Sequence, residues 1–174
     1  MESAAAFYTK WLRDWKDTQI ESGQVAPIAP FSGSAGGGPA WGGFVVSLPW
    51  QMYLQHGDRR ILEECYPMIE KWMSFLGTKT EDGLLRPYIE IGQNSLRWSF
   101  LGDWVPPGRD QGDNRIDEYT TLFFNNCFYV YNLETARKIA GVLGKKTDAA
   151  QYRRQAEDLR AAAHKEFFNA EEDS

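Results

Sequence analysis

Two segments rich in glycine, proline and aromatic residues hold the residue types best suited to binding chemistry. The first contains Trp41 in the stretch GGGPAWGG, and the second contains Asp103 and Trp104 in SFLGDW. An indole ring offers a flat apolar face on which a sugar ring can stack, and a carboxylate accepts hydrogen bonds from hydroxyl groups. These residue types favour a carbohydrate-binding surface built from loops, where binding residues often lie.

Each of these side chains also has a purely structural interpretation. Trp41 can pack on the entrance of the helix that follows it, and Asp103 can accept hydrogen bonds from local backbone amides in a loop that plugs the core. Phe100, in the same segment as Asp103, is expected to anchor that loop. The residues alone leave both interpretations open.

Other kinds of site find little support in the sequence. The segment GSAGGG lacks the preceding strand and the GK[ST] ending of a phosphate-binding loop, and no GxSxG nucleophile motif occurs. The acidic stretch RDQGDNRIDE misses the spacing of a calcium loop. Two histidines and two isolated cysteines do not form a metal-binding cluster. We therefore predict neither a metal site nor a cofactor.

Composition and charge restrict the class of partner. The formal net charge is -5, and the basic residues are scattered among acidic ones, which argues against a nucleic-acid partner. No apolar run has the length of a transmembrane span, and the first residues lack the apolar stretch of a signal peptide. Cys65 and Cys127 are expected to be free, buried thiols, so the sequence does not indicate a compartment.

The elements that must position the two segments are helices. Apolar residues recur at helical spacing in five parts of the chain: 3–19, 42–56, 59–77, 118–143 and 147–169. A short hairpin is expected within 84–91. Asp58 is expected to cap the third helix, and Pro49 predicts a kink or a short break in the second. The pattern predicts an all-α protein.

Charge separates these helices into two kinds. FVVSLPWQMYLQ in the second helix and TTLFFNNCFYVYNL in the fourth contain no charged residue, whereas the other three carry charges along one face. A helix without charge is surrounded by protein and a striped helix faces solvent, so the helices alternate outer and inner. Long connections, about 20–41 and 78–117, precede the inner helices and therefore lie at one end, which is the expected site face.

Alternating inner and outer helices are typical of an α/α barrel. Five helices are too few to close one, so we expect residues 1–174 to form an incomplete (α/α)6 barrel with no internal domain boundary. The uncharged flanks of the two inner helices would then be exposed, as a patch larger than a monomer tolerates. The chain is interpreted as a fragment of a larger catalytic domain that the remainder of the barrel or a partner chain completes.

Several segments, read in order, resemble the catalytic domain of bacterial α-L-rhamnosidases. They are FYTKWLRDWKDTQ, PAWGGFVVSLPWQMYLQHGDRRILEECYPMIEKWMSFL, LGDW and ETARKIAGVLGKKTDAAQYRRQAEDLRAAAHKEFF. The resemblance covers nearly the whole chain, and the W-G block followed by L-G-D-W is its specific part. It implies a six-hairpin α/α barrel that removes terminal α-L-rhamnose, with inversion, from a rhamnose-containing glycoside or polysaccharide.

The resemblance also implies roles for the two segments. Trp41 matches the rhamnose-contacting tryptophan that opens the W-G segment, Trp104 matches the tryptophan of G-D-W, and Asp103 is interpreted as an acceptor for sugar hydroxyls. Family members often carry Asp after W-G, where this chain has Gly43 and therefore lacks that carboxylate. The family's proton donor and proposed base lie upstream and downstream of the matched segments, so no catalytic residue is expected within this chain.

Two alternatives remain open on the sequence. The chain can be a stand-alone, non-catalytic helical module that binds carbohydrate or another protein, which would require a closed core. It can also belong to another α/α-barrel glycosidase or to a polysaccharide lyase, whose product carries an unsaturated uronate.

Overall fold

The computed structural model describes residues 4–31, 33, 37–89, 91–92, 94, 99–103 and 118–168. Most of these residues are helical, as the hydrophobic periodicity predicts. The helices are α1 (Ala4–Asp17), α2 (Pro39–Gly42), α3 (Phe44–His56), α4 (Arg59–Gly77), α5 (Glu118–Leu143) and α6 (Lys146–Phe167). An antiparallel hairpin follows α4 and consists of β1 (Thr80–Glu81) and β2 (Leu84–Leu85).

Two helices occupy the centre of the packing, and three lie around them. α3 and α5 contact each other, and α4 packs against both. α1 packs against α3 and α4, while α6 packs against α5 and β2. The uncharged helices α3 and α5 are therefore the inner pair, which confirms the alternation predicted from charge. None of the helices in the described ranges combines the length and the apolarity that crossing a bilayer requires.

The hydrophobic core lies between α4 and the two inner helices. Trp72 of α4 is fully buried, and its ring stacks on that of Phe75 with centroids 5.8 Å apart. Each fully buried aliphatic side chain contributes about 1.5–3 kcal/mol to stability. Such side chains come from four helices and include Leu12, Val46, Leu62, Leu133 and Ile139.

Tight turns follow the two inner helices. α3 ends at Gly57, whose φ of 67° lies in the left-handed region, and the Gly57 N–H donates to the carbonyl of Tyr53 at 2.8 Å. Glycine adopts this conformation at little cost. Asp58 then caps α4 by accepting a hydrogen bond from the N–H of Arg60 at 3.0 Å, so the predicted cap is confirmed.

The short break expected at Pro49 does not occur, and the hairpin lies elsewhere than expected. α3 continues through Pro49, and the interruption in this region lies at Gly43, between α2 and α3. Packing of α3 against four other helices outweighs the backbone hydrogen bond that proline removes. The hairpin occupies 80–85 instead of 84–91, because Asp82 and Gly83 form its turn with φ values of 52° and 80°.

Each inner helix exposes apolar side chains, which together we call the open face (Leu54, Phe123, Cys127 and Tyr131). Leu54 of α3 is 57% exposed, and Phe123 and Tyr131 of α5 are 48% and 45% exposed. Cys127 lies between those two aromatic residues and is also exposed, which corrects the prediction of a buried thiol, whereas Cys65 is buried as predicted. Exposed flanks on both inner helices agree with an incomplete barrel.

Candidate functional site

The two long loops meet on the N-terminal half of α5. The backbone N–H of Leu101 donates to the carbonyl of Gly37 at 2.6 Å, which joins the second loop to the first. Gly38 and Gly102 lie directly on the helix. A Cβ on Gly38 would overlap Oδ1 of Asn125, and one on Gly102 would approach the hydroxyl of the α5 residue Thr121 to 2.8 Å. Glycine therefore allows both loops to approach α5 closely, and the expectation that they share one end is confirmed.

Trp41 lies on α2, the single turn of helix that the first loop forms before α3. The carbonyl of Gly38 accepts hydrogen bonds from the N–H groups of Trp41 at 3.1 Å and of Gly42 at 2.9 Å. Pro39 occupies the first turn of α2, where its missing N–H costs nothing. The Trp41 side chain is 38% exposed, while Gly42 beside it packs against the ring of Trp72. α2 thus sits on the core with part of one indole available to a ligand.

The second loop presents Asp103 at the surface and is anchored by Phe100. Asp103 is exposed, where its carboxylate can accept hydrogen bonds from hydroxyl groups. Phe100 is 3% exposed and meets the ring of Tyr88 edge-on, with centroids 5.6 Å apart. This contact agrees with the expected role of Phe100 as the anchor. Trp104, the remaining predicted site residue, lies outside the described residues.

Three buried asparagines of α5 form what we call the asparagine row (Asn125, Asn126 and Asn132). They are at most 1% exposed. Each Nδ2 donates one hydrogen bond to the carbonyl four residues earlier in α5, at 2.7–2.9 Å. Each also donates a second bond to a carbonyl outside the helix. Asn125 donates to the carbonyl of Leu101 at 3.2 Å, Asn126 to that of Leu85 at 3.1 Å, and Asn132 to that of Pro39 at 3.0 Å.

Two members of the asparagine row contact the two ends of α2. Asn125 and Asn132 are two helical turns apart and so lie on one face of α5. Asn125 lies against Gly38 at the start of α2, and Asn132 lies against Gly43 at its end. Asn126 points elsewhere: its Oδ1 accepts the N–H of Leu85 at 2.8 Å while its Nδ2 donates to the Leu85 carbonyl, so it holds the hairpin instead of the site loops.

The sequence contains a signal for the asparagine row that reasoning from loop residues missed. Asparagine is a weak helix former, and its amide is costly to bury without hydrogen-bond partners. Three asparagines in a helix predicted to be internal, within TTLFFNNCFYVYNL, therefore indicate backbone segments for them to bind. Within the described ranges, no group of three or more His, Cys, Asp or Glu side chains is placed to hold a metal ion.

Comparison with known proteins identifies the family of the chain. The model of the bacterial alpha-L-rhamnosidase 6 hairpin glycosidase domain matches residues 1–174. The chain belongs to this rhamnosidase family. An alpha-L-rhamnosidase of Streptomyces avermitilis is 35% identical over 153 residues, which cover 87% of this chain and 13% of that protein. An alpha-L-rhamnosidase of Formosa agariphila is 28% identical over 167 residues, covering 94% of this chain and 16% of its own length.

Solved structures of rhamnosidases agree with the fold. The alpha-L-rhamnosidase from Dictyoglumus thermophilum matches with a TM-score of 0.77 and 28% identity, over 97% of this chain and 17% of that one. The Streptomyces avermitilis alpha-L-rhamnosidase complexed with L-rhamnose matches with a TM-score of 0.74 and 26% identity, over 96% of this chain and 14% of that one. The described helices are part of a six-hairpin α/α barrel, as predicted, and the chain spans less than a fifth of these relatives' length.

Gly43 stands where the resemblance described above implies Asp after W-G. The backbone there has a φ of -62°, which any residue can adopt, but a Cβ would overlap both the carbonyl oxygen of Pro39 and the amide of Asn132. A side chain at this position does not fit while Asn132 holds the end of α2.

Proposed function

We propose that the natural polypeptide carrying this chain is an α-L-rhamnosidase that removes terminal α-L-rhamnose from glycosides or polysaccharides. The observation that carries the proposal is the match of the six-hairpin glycosidase domain to residues 1–174. The complex of a neighbouring structure with L-rhamnose supports the choice of sugar.

In this proposal, the chain supplies part of the wall of the sugar site. The partly exposed ring of Trp41 stacks on the apolar side of rhamnose, which carries a methyl group in place of a hydroxymethyl group. Asp103 accepts hydrogen bonds from sugar hydroxyls, and Trp104 provides a second ring. The bond between Leu101 and Gly37 supports this assignment, because it joins the two loops that carry these residues.

The proposed reaction inverts the anomeric centre. A carboxylic acid protonates the glycosidic oxygen, while a carboxylate takes a proton from the water that attacks the anomeric carbon from the opposite face. The two carboxyl groups of such a pair are about 6.5–9.5 Å apart, which leaves room for that water. We assign neither group to this chain and propose that both come from other segments of the domain.

The open face supports the idea that further protein completes the barrel. Its exposed apolar side chains lie on the two inner helices, which would belong to the inner ring of the barrel. We propose that the remaining helices of the barrel, or a partner chain, pack against this surface. Burial of the face in the assembled protein would remove the apolar exposure that a monomer disfavours.

Hydrolysis of an aryl α-L-rhamnoside by the full-length natural polypeptide tests the proposal. We expect release of the aryl alcohol, with β-L-rhamnose as the first sugar product seen by proton NMR. The α anomer as first product would contradict inversion, and inertness toward aryl α-L-rhamnosides would refute the function. An unsaturated uronate from a polysaccharide would indicate a lyase instead. The 174-residue chain alone is expected to be inactive, since it would lack the acid and the base.

Substitution of Trp41 tests the role of the loop wall. Trp41→Ala is expected to raise KM and the inhibition constant for L-rhamnose by about tenfold, with a smaller change in kcat, because the stacking contact exists before the transition state. Phe7→Ala is the matched control, since Phe7 is an exposed aromatic residue on the outer helix α1. Equal effects of the two substitutions would contradict the assignment of Trp41.

A further inference from the structure

We infer that Asn125 and Asn132 are positioning residues for the sugar-binding wall: their buried amides fix the placement of Trp41 relative to α5. For its effect on catalysis, this inference rests on the proposed function. Neither residue touches the sugar, because both are buried beneath α2.

The first step of the argument concerns α2 itself. A helix of four residues has almost no stability of its own, because the free-energy cost of helix nucleation exceeds the stabilisation that one hydrogen-bonded turn provides. Its placement therefore depends on what holds its ends. Asn132 donates from Nδ2 to the carbonyl of Pro39 at 3.0 Å and abuts Gly43, while Asn125 abuts Gly38. Both ends of the turn that carries Trp41 thus rest on side chains of α5.

The second step concerns the orientation of the two amides. Asn132 also donates to the carbonyl of Phe128 at 2.7 Å, and Asn125 donates to that of Thr121 at 2.9 Å. One N–H of each amide is therefore tied to the backbone of α5, which fixes the plane of the amide. The other N–H points out of the helix in a direction that α5 determines. The position of the loop carbonyls is consequently set by α5, the longest of the described helices.

The third step concerns the cost of these two residues. Oδ1 of Asn125 and of Asn132 is buried and finds no hydrogen-bond partner among the described residues. An unpaired buried acceptor destabilises a protein. Asn126 shows the alternative, because both polar atoms of its amide are bonded to Leu85. Two destabilising buried acceptors, both beside the site loops, are expected where the position of a loop matters for binding.

The fourth step connects the two loops. Asn125 donates to the carbonyl of Leu101 at 3.2 Å, two residues before Asp103 in the chain. The same side chain contacts Gly38 of the first loop. Asn125 therefore sets both loops against one helix, and Asn132 acts on the first loop alone. This difference makes Asn132 the sharper choice for an experiment that isolates Trp41.

A double-mutant cycle in the full-length natural polypeptide tests the inference. Asn132→Ala is expected to raise the inhibition constant for L-rhamnose by about tenfold, since a misplaced contact costs nearly as much as a missing one. The double variant with Trp41→Ala is expected to bind rhamnose no worse than Trp41→Ala alone, because both changes remove one contact. Asn126→Ala, the control, should lower Tm at least as far while leaving the inhibition constant within about twofold.

A merely structural role of Asn132 would give a different pattern. It would lower Tm while leaving the inhibition constant unchanged, or its effect would add to that of Trp41→Ala. Either result overturns the inference. If Asn132→Ala does not fold, Asn132→Ser provides the same test, because the shorter hydroxyl side chain does not reach the carbonyl of Pro39.

Fluorine NMR provides a readout that does not depend on activity. The protein is labelled with 5-fluorotryptophan, and the Trp41 resonance is identified by its loss in Trp41→Phe. Asn132→Ala and Asn125→Ala are expected to shift or broaden this resonance, and Asn126→Ala is expected to leave it in place. An unchanged Trp41 resonance in Asn132→Ala overturns the inference even if the protein is an active rhamnosidase. An inactive wild type would refute only the proposed function.

Discussion

Replacing Gly43 with alanine probes the fit between α2 and the asparagine row. Gly43 is buried between α2 and α3, and its φ of -62° is one that alanine adopts without strain. The added methyl group would overlap the carbonyl oxygen of Pro39 and the amide of Asn132. Gly141 of α5 is the matched control, because it is exposed and helical, and no atom lies within 4 Å of an added Cβ.

The expected magnitudes follow from two opposing effects. Alanine restricts the unfolded chain more than glycine does and favours the helical conformation by about 1 kcal/mol at either position. At Gly141 nothing opposes this gain, so Gly141→Ala should stabilise the chain by about 0.5–1 kcal/mol. At Gly43 overpacking costs up to about 3 kcal/mol, since a backbone carbonyl must move. Gly43→Ala should therefore destabilise the chain by about 2 kcal/mol.

Thermal unfolding of the two variants measures this difference. For a chain of 174 residues, Tm changes by about 2–4 °C per kcal/mol. Gly43→Ala should therefore lower Tm by about 4–8 °C, and Gly141→Ala should raise it by about 1–4 °C. Equal Tm values for the two variants would refute the reasoning, because it would mean that α2 yields to the methyl group without cost.

Three further predictions concern the scaffold. Asp58→Ala should lower Tm at pH 7 by removing the α4 cap. Hydrogen bonds from Arg60 lower the pKa of Asp58 to about 2, so this stabilisation should be lost as pH falls from about 4 through 2, where the Tm curves of variant and wild type should converge. Phe100→Ala should destabilise the chain by about 3–5 kcal/mol in urea denaturation. If Phe100→Ala destabilised the chain less than Phe100→Leu does, the anchor role would be contradicted. A thiol reagent followed by peptide mapping should modify Cys127 in the native chain and Cys65 only after unfolding, because burial raises the pKa of the Cys65 thiol to about 12.

Helix bounds could be predicted from the sequence because they depend on local features. The range 118–143 matches α5, where an apolar pattern ends before a glycine, and α4 starts directly after its aspartate cap as expected. The hairpin was misplaced because strands of two residues show no alternation of apolar and polar side chains. The Asp-Gly pair at 82–83 was its usable signal.

The candidate site could be predicted only in part. Residue types and loop lengths indicated Trp41 and Asp103, since both features are visible in the chain itself. The contacts beneath them could not be predicted, because the bond from Asn132 joins residues 93 positions apart and depends on how α5 packs beneath the first loop. The same holds for Cys127, whose exposure depends on which side of α5 the other described helices leave uncovered.

The asparagine row has a consequence for how loop sequences can diverge. Its three outward bonds go to backbone carbonyls of Leu101, Leu85 and Pro39, and every amino acid carries that group. Substitutions at exposed loop positions therefore leave these carbonyl groups in place, whereas Gly38, Gly43 and Gly102, which lie against side chains of α5, must stay small. Because the asparagines of α5 bind the loop backbone and not the loop side chains, the exposed loop residues can change without loss of these hydrogen bonds. Exchange of a whole loop for one with the same backbone path is accordingly expected to preserve these contacts with α5.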